Sequence, residues 1–274
     1  MCAKNCLKVK NVDDKSVKLD NITKNCNLRV MKMKPVYKRV LLKLSGEGLM
    51  GDQAFGIDTK VLSSLAAQIK EVHDAGVEVC LVIGGGNIFR GAKEAARGMN
   101  RTVADQVGML ATIMNALSMQ NALEQQGVEA RVLSGLAVPE VCEAYMYRRA
   151  LKHLQKNRVV IFAGGTGNPY FTTDTGAALR AAEMQCDVLL KATQVDGVYD
   201  KDPCKDKTAK KFDKVSYDMV INHHLNVMDM TAVALARENN VPIVVFSKHN
   251  KKALMQAVSG KGSFTIISNE VKNV

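Results

Sequence analysis

The length, composition and charge of the chain exclude several classes of protein. Its 274 residues are 47% hydrophobic, carry a net charge of +11 and include seven scattered cysteines without a C-x-x-C pair, as in a globular protein with reduced thiols. The longest apolar runs fall far short of the ~20 residues that span a bilayer, and no apolar signal segment opens the chain, so we expect a cytoplasmic protein rather than a membrane or exported one.

The first 34 residues differ from the rest of the chain. They contain nine Lys or Arg and three Asp, a net charge of +6, which leaves +5 for the other 240 residues. They lack aromatic residues and show no helical or strand period, so we expect a disordered basic extension over residues 1–34. A start of translation at Met31 or Met33 is one alternative, and a nucleic-acid-binding arm is another. Nucleic acid is not the expected main partner.

From residue 35 onward, short apolar segments alternate with amphipathic ones, which predicts βαβ units on a parallel sheet. The predicted strands are Arg39 to Leu44, Val77 to Ile83, Ala130 to Ser134, Arg158 to Ala163, Asp187 to Ala192, Val241 to Ser247 and Phe264 to Ser268. The predicted helices are Lys60 to Ala75, Arg101 to Gln126, Glu143 to Asn157, Thr175 to Gln185, Met230 to Asn240 and Lys251 to Val258. Gly76 and Gly127 stand where helices often end in a left-handed residue. We expect one doubly wound α/β domain over residues 35–274.

Three of the predicted strands end in segments suited to anions. Gly84 to Gly86 follow a strongly apolar strand, Lys43 precedes Ser45-Gly46, and glycines, hydroxyls and a carboxylate fill the stretch Gly164 to Asp174. Glycine allows a backbone to approach a phosphate closely, although tight turns alone would also explain these glycines. Because parallel strands end at one edge of a sheet, we expect these segments to share one phosphate-binding crevice.

Five charged side chains are candidates for phosphoryl transfer. Lys43 and Lys191 could neutralise the transferred group, and Arg90 offers a fork for a phosphate dianion. Asp174 and Asp229 each precede a predicted helix, where they could cap it, hold Mg²⁺ or orient Lys43.

Other chemistries are not indicated. The five histidines lack metal-ligand spacing, with His73 and His153 expected on solvated helix faces, and no G-x-S-x-G motif occurs. The usual P-loop is absent, and Phe89 replaces the third glycine of G-x-G-x-x-G, which argues against a Rossmann oxidoreductase. The polar stretch 196–214 is too long for a tight turn and is expected to cover a binding site.

Five motifs then occur in order along the chain. They are Lys43-Leu44-Ser45-Gly46-Glu47, Ile83 to Gly91, Gly98-Met99-Asn100-Arg101 with Asp105, Gly165 to Asp174, and Lys191 to Tyr199. Together they resemble the bacterial uridylate (UMP) kinases of the amino-acid-kinase superfamily, from about Tyr37 to the C-terminus. The resemblance implies a three-layer αβα sandwich around a mainly parallel sheet, in a homohexamer. It implies transfer from ATP to UMP, with Mg²⁺ carried by the nucleotide, in pyrimidine (CTP/UTP) biosynthesis.

The resemblance also implies residue roles. The ATP phosphates would be contacted by Lys43, Leu44, Ser45, Gly46, Gly86 and Arg90, and the adenine end framed by Thr193, Tyr199 and Asp202. UMP would be held by Gly85, Asp105, Thr166, Gly167, Asn168, Pro169, Tyr170, Phe171, Thr172 and Thr173. The catalytic residues would be Lys43, Arg90, Asp174 and Asp229.

Regulation and alternatives complete the expectations. The resemblance implies GTP as an activator and UTP as an inhibitor, but Gln120 and Glu124 stand where a more basic GTP lining is expected, although Arg131 remains. Within the superfamily, a kinase for acetylglutamate or aspartate is the main alternative, and Asp105 with the Thr166 to Asp174 stretch favours a nucleotide. A nucleotide-sensing regulator that binds DNA through the basic extension is the alternative from another class.

Overall fold

A nine-stranded sheet forms the centre of the computed structural model, which describes residues 33–91, 97–225, 227–250 and 252–269. The strands of the described chain are β1 Arg39–Leu44, β2 Glu78–Ile83, β3 Ala130–Ser134, β4 Glu143–Ala144, β5 Val159–Ala163, β6 Val188–Thr193, β7 Val198–Tyr199, β8 Lys211–Phe212, β9 Lys214–Val215, β10 Ile243–Ser247 and β11 Phe264–Ile267. The central sheet has the order β4-β3-β5-β2-β1-β6-β10-β11-β9, and among its described pairs only β10–β11 is antiparallel. Strands β7 and β8 form a separate antiparallel pair. The predicted extension over residues 1–34 lies almost entirely outside the described residues.

Helices cover both faces of this sheet. They are α1 Thr59–Asp74, α2 Arg101–Glu124, α3 Tyr147–Gln155, α4 Thr173–Glu183, α5 Tyr217–Asn222, α6 Met230–Glu238 and α7 Ala253–Val258, with a 3₁₀ turn at Gly46–Leu49. Gly76 (φ 88°) and Gly127 (φ 80°) follow α1 and α2 in the predicted left-handed conformation. No helix in the described ranges combines the length and apolarity needed to cross a membrane.

Alternating side chains divide the core into two layers. Leu41 of β1 packs in one cluster with Leu189 of β6 and with Ala177 and Ala181 of α4. The next residue of β1, Leu42, instead meets Leu65 of α1 on the other face. Successive strand residues point to opposite faces, so both faces of the sheet are buried under helices. The predicted three-layer αβα sandwich is confirmed.

One helix begins later in the structure than the sequence predicted. Glu143 and Ala144 form β4 and pair with Leu133 and Ser134 of β3, so α3 begins at Tyr147 rather than at Glu143. The pairing supplies partners for the outer edge of β3, and these backbone groups would otherwise need water. Short strands β7 to β9 and helix α5 were not predicted, and β7 to β9 lie in or beside the 196–214 stretch that was expected to cover a site.

Candidate active site

The glycine-rich segments meet where β5, β2, β1 and β6 end. These four strands are neighbours in the sheet and all run in parallel. The Gly84 N–H donates to the carbonyl of Leu44 at 2.9 Å, and a Cβ built on Gly84 would lie 3.4 Å from Thr173 Oγ1. The loops after β1 and β2 therefore lie against the start of α4, as the shared crevice required.

Two lysines and one carboxylate form the charged centre of this crevice. Lys43 of β1 and Lys191 of β6 are register partners, and therefore point to the same face of the sheet. Their Nζ atoms lie 2.6 Å from Oδ1 and 2.6 Å from Oδ2 of Asp174, respectively. Lys191 also donates to the carbonyl of Val227 at 2.6 Å. Lys43, Lys191 and Asp174 together carry one net positive charge, which suits an anion, and Asp229 offsets part of the positive charge at Lys191.

Burial and charge compete in setting the protonation of this centre. Burial raises the pKa of the Asp174 carboxyl, but the neighbouring Lys43 and Lys191 ammonium groups outweigh burial and leave that pKa below its usual range. Burial lowers the pKa of Lys191, and Asp174 offsets only part of that effect. Asp174 Oδ1 accepts no hydrogen bond within the described part of the chain, because the Lys43 contact is an ion pair without hydrogen-bond alignment.

Asp174 is positioned by the first turn of α4, and it is not the cap of that helix as the sequence suggested. Thr172 is the N-cap, and its hydroxyl oxygen accepts the Asp174 N–H at 3.0 Å. The same hydroxyl donates to Asp229 Oδ2 at 2.5 Å, while Asp229 Oδ1 accepts the Thr175 hydroxyl at 2.9 Å. Asp229 also caps α6 through the Ala232 N–H, as predicted. Asp229 thus joins α6 to the turn that carries Asp174.

Arg90 lies at the mouth of the crevice, in an exposed ion pair with Glu47 that a ligand anion could replace. Its Nη2 lies 2.7 Å from Glu47 Oε1, and its Nε donates to the Gly86 carbonyl at 3.2 Å. The two side chains are 51% and 46% exposed, so their pairing contributes little to stability. A phosphate could replace the Glu47 carboxylate without burying an unpaired charge.

A separate cavity of about 190 Å³ lies between α2 and the stretch that follows β5. Asp105 lines it on the α2 side, and Thr166, Phe171, Thr172 and Thr173 line it on the other side. The intervening residues Gly167, Asn168, Pro169 and Tyr170 form a turn in which Asn168 exchanges hydrogen bonds of 3.2 Å with the Thr166 hydroxyl. The structure therefore brings five of the ten residues predicted to hold the acceptor into the lining of one cavity.

The three residues predicted at the adenine end have local partners. The Thr193 hydroxyl donates to the Val195 carbonyl at 2.6 Å. The Tyr199 hydroxyl donates to Asp196 at 2.6 Å, which raises the pKa of Tyr199 to about 12. Asp202 lies in an exposed turn, where it accepts the Cys204 N–H at 3.0 Å. Their role toward adenine stays a prediction.

Sequence reasoning missed a buried polar network behind the glycine loops. Asn115 is fully buried, donates to Asn87 at 2.7 Å and to the Gly84 carbonyl at 2.7 Å. Thr112 accepts the Gly164 N–H at 2.8 Å through its hydroxyl. Buried amides and hydroxyls with full sets of partners fix backbone positions. The sequence signal for this network was a pair of polar residues three apart, Thr112 and Asn115, on the inner face of α2.

Two adjacent glycines should respond differently to alanine. A Cβ on Gly85 would lie 2.8 Å from the Gly108 carbonyl oxygen, whereas a Cβ on Gly86 meets nothing closer than 3.8 Å. We expect Gly85→Ala to lose about 1–3 kcal/mol of unfolding free energy by forcing α2 outward, and Gly86→Ala to lose little. Because Gly86 is predicted to contact the ATP phosphates, Gly86→Ala should instead weaken ATP binding. Urea melts and ATP titrations of both variants test this, and equal stability losses would contradict the assignment.

Comparisons with known proteins agree with this geometry. Residues 38–247 match the sequence profile of the amino acid kinase family. The uridylate kinase of Paramagnetospirillum magneticum is 60% identical over 85% of this chain and 98% of its own length, and that of Roseobacter denitrificans is 55% identical over 85% and 96%. The crystal structure of UMP kinase from Ureaplasma parvum superimposes with a TM-score of 0.81 at 37% identity, covering 85% of this chain and 99% of that one. The UMP kinase structure from Bacillus anthracis gives 0.81 at 38% identity, covering 86% and 97%.

Proposed function

The chain belongs to the amino acid kinase family, as one of its uridylate kinases, and we propose that it transfers the γ-phosphoryl group of ATP to UMP. The products are ADP and UDP, in the supply of pyrimidine nucleotides. The observation that carries the proposal is the Lys43–Asp174–Lys191 centre, which lies between glycine-rich strand ends and adjoins a cavity lined by threonines and Asp105.

Positioning and charge neutralisation account for the reaction. The acceptor is a phosphate oxygen of UMP, whose second pKa near ~6 leaves it largely ionised at neutral pH. No general base is therefore needed, and the main barrier is the repulsion between two anions. Lys43 neutralises the transferred group, while Lys191 holds the other oxygen of Asp174 and keeps that carboxylate between the two cations. Asp229 positions Asp174 through Thr172.

The remaining ATP contacts follow the loops. Ser45 and Gly46 after β1 and Gly86 after β2 would offer backbone N–H groups to the phosphates, and Arg90 would exchange Glu47 for a phosphate oxygen. Thr193, Tyr199 and Asp202 would frame adenine.

We propose that Mg²⁺ arrives with ATP. Mg²⁺ prefers carboxylate and phosphate oxygens and keeps few protein ligands in nucleotide sites. Asp174 is the carboxylate of this centre that would face such an ion, through Oδ1, which lies 2.6 Å from Lys43 Nζ and accepts no aligned hydrogen bond within the described residues. When bound, Mg²⁺ would supply further neutralisation of the phosphate oxygens.

The acceptor cavity supports a nucleotide over an amino acid. Asp105 accepts hydrogen bonds and suits ribose hydroxyls, and the threonines between Thr166 and Thr173 offer the mixed donors and acceptors that uracil needs. Gly85, against α2, places the loop after β2 beside this cavity. A carboxylate acceptor such as acetylglutamate would leave these polar groups without partners.

An acceptor panel tests the proposal. ADP release is measured with UMP, CMP, dTMP, acetylglutamate and aspartate, and we expect kcat/KM for UMP to exceed that for the amino-acid acceptors by up to ~10⁴-fold. The Lys43→Ala variant, purified in the same way, should lose roughly 10² or more in kcat and so excludes a contaminating kinase. Comparable kcat/KM values for UMP and an amino acid would contradict the proposal.

Assembly and regulation belong to the same proposal. Val103, Leu110 and Met114 expose apolar side chains on α2 and are 46%, 46% and 53% exposed, which supports self-association into the expected homohexamer. GTP activation and UTP inhibition stay predictions. Arg131 lies 3.3 Å from Glu124, which reduces the positive charge available there to a triphosphate. We also propose that residues 1–34 are an extension to a catalytic domain of residues 35–274 that works in the cytoplasm.

A further inference from the structure

Arg101 occupies a position that helix stability does not favour. It is the first residue of α2, where the helix dipole presents positive charge, and this first turn contains no acidic residue. Its partner Asp105 lies four residues later, and an arginine that precedes its acidic partner is the less favourable order for such a pair. Another contact must explain why a cation lies here.

The other contacts of Arg101 are made at the acceptor cavity, which its side chain lines. Arg101 Nε lies 2.9 Å from Asp105 Oδ1 and 2.8 Å from Oδ2, so it holds both oxygens of the carboxylate. The Tyr170 N–H donates to Oδ2 at 2.8 Å from the opposite wall. The Arg101 guanidinium also lies 5.6 Å from the centre of the Tyr170 ring.

Tyr170 adopts a backbone conformation that needs support. Its φ of 72° is uncommon for a bulky residue, and its side chain is 67% exposed, so packing of the ring in a core does not fix the turn. Asp105 and Arg101 hold its N–H and its ring, respectively. The two residues on α2 thus tie the 167–170 turn, which connects the cavity-lining residues Thr166 and Phe171, to the helix.

Exposure separates positioning from stabilisation. The Asp105 side chain is 14% exposed and that of Arg101 is 45% exposed, so solvent screens the ion pair and its contribution to folding is small. Its effect is on orientation. A carboxylate can accept about four hydrogen bonds, and the three contacts from Arg101 and Tyr170 fix the direction of Asp105 and leave acceptor capacity for about one ligand hydroxyl.

We propose that Arg101 is a positioning residue that makes the acceptor site selective for a ribonucleotide over its 2′-deoxy analogue. It aims Asp105 at the 2′-hydroxyl of the ribose and holds the Tyr170 turn over the sugar. This inference rests on the proposed function, because it assumes that the cavity binds the acceptor nucleotide.

Kinetics with UMP and 2′-deoxy-UMP test the inference. For Arg101→Gln we expect KM for UMP to rise roughly tenfold or more, with kcat changed less than about threefold. Without Arg101, Asp105 is no longer oriented, so its charge-assisted hydrogen bond to the ribose is lost when UMP binds. KM for 2′-deoxy-UMP and for ATP should change little, so the preference for the ribonucleotide falls. Arg101→Lys should be intermediate, because an ammonium keeps the charge but lacks the Nε–H that contacts both oxygens of Asp105.

The matched control is Arg237→Gln. Arg237 is a similarly exposed arginine on α6 whose Nη1 lies 2.9 Å from Asp218, and its replacement should change none of these constants. Melting temperatures and UMP binding without ATP separate misfolding from misorientation.

Each outcome then has a distinct meaning. Equal losses for UMP and its deoxy analogue, or an unchanged ribonucleotide preference in a folded variant, would overturn the role of Arg101. A wild-type enzyme that fails to phosphorylate UMP would instead overturn the proposed function. That measurement uses the wild-type protein alone, so it is independent of the Arg101 variants.

Discussion

Replacing Lys43 by alanine is expected to lower kcat by roughly 10² or more while changing KM for UMP only modestly, because we propose that Lys43 neutralises charge that develops during transfer. Its side chain is only 10% exposed and contacts Asp174 without a well-aligned hydrogen bond. The ammonium therefore keeps donors for a phosphate in a site where water screens little. Steady-state kinetics with ATP and UMP measure the effect.

The folded state should tolerate the loss of Lys43. Asp174 keeps its second partner, Lys191, so no buried charge is left unpaired and the melting temperature should stay near that of the wild type. Lys70→Ala is the control, since Lys70 pairs with Asp74 at 2.9 Å on the exposed side of α1. A Lys43→Ala enzyme with near-native kcat and weakened UMP binding would show that Lys43 contributes to substrate binding and not to stabilising the transition state.

The sheet and its crevice were predictable because they follow from local rules. Apolar runs such as Arg39 to Leu44 form buried parallel strands, and the ends of parallel strands must meet at one edge. This placed Lys43, Gly84 and Gly164 together before any contact was known. Gly76 and Gly127 ended their helices as the lack of a Cβ predicts.

The features that were not predicted depend on partners distant in sequence. Glu143 lies in a strand only because β3 offers it an edge. His73 was expected in solvent but is 9% exposed, and its ring nitrogen Nε2 contacts the carbonyl of Asn157 at 2.9 Å. His153 is likewise paired with Glu143 at 3.1 Å rather than solvated. Periodicity assigns a residue to a helix face, but the neighbouring elements decide whether that face is buried.

Asp174 shows the same limit within the site. Its position before an apolar helix suggested a cap, but Thr172 takes that role and moves Asp174 into the first turn, towards the two lysines. The pairing of Lys43 with Lys191 across β1 and β6 required the register of the sheet, which a single sequence does not contain.

Asp174→Asn is expected to destabilise the protein strongly. It removes the carboxylate that contacts both buried lysines, and breaking a buried ion pair from one side costs about 3–5 kcal/mol of unfolding free energy. Activity should fall with it, because the two ammonium groups then repel each other and lose their spacing. Asp218→Asn is the control, since its 65% exposed carboxylate pairs with Arg237 and should cost no more than about 1 kcal/mol.

The pH dependence of this loss identifies its cause. The pKa of Asp174 is lower in the folded protein than in the unfolded chain, so its stabilising contribution is complete above the unfolded pKa of about 4 and is lost as the pH falls through the folded pKa. The pKa of Lys191 is also lowered, so alkaline pH removes a proton from the repelling pair and relieves the variant. Urea melts at about pH 3, 7 and 10 should therefore show the largest difference between wild type and Asp174→Asn near neutrality. A difference that stays constant across this range would show that lost packing, and not charge, sets the stability of the centre.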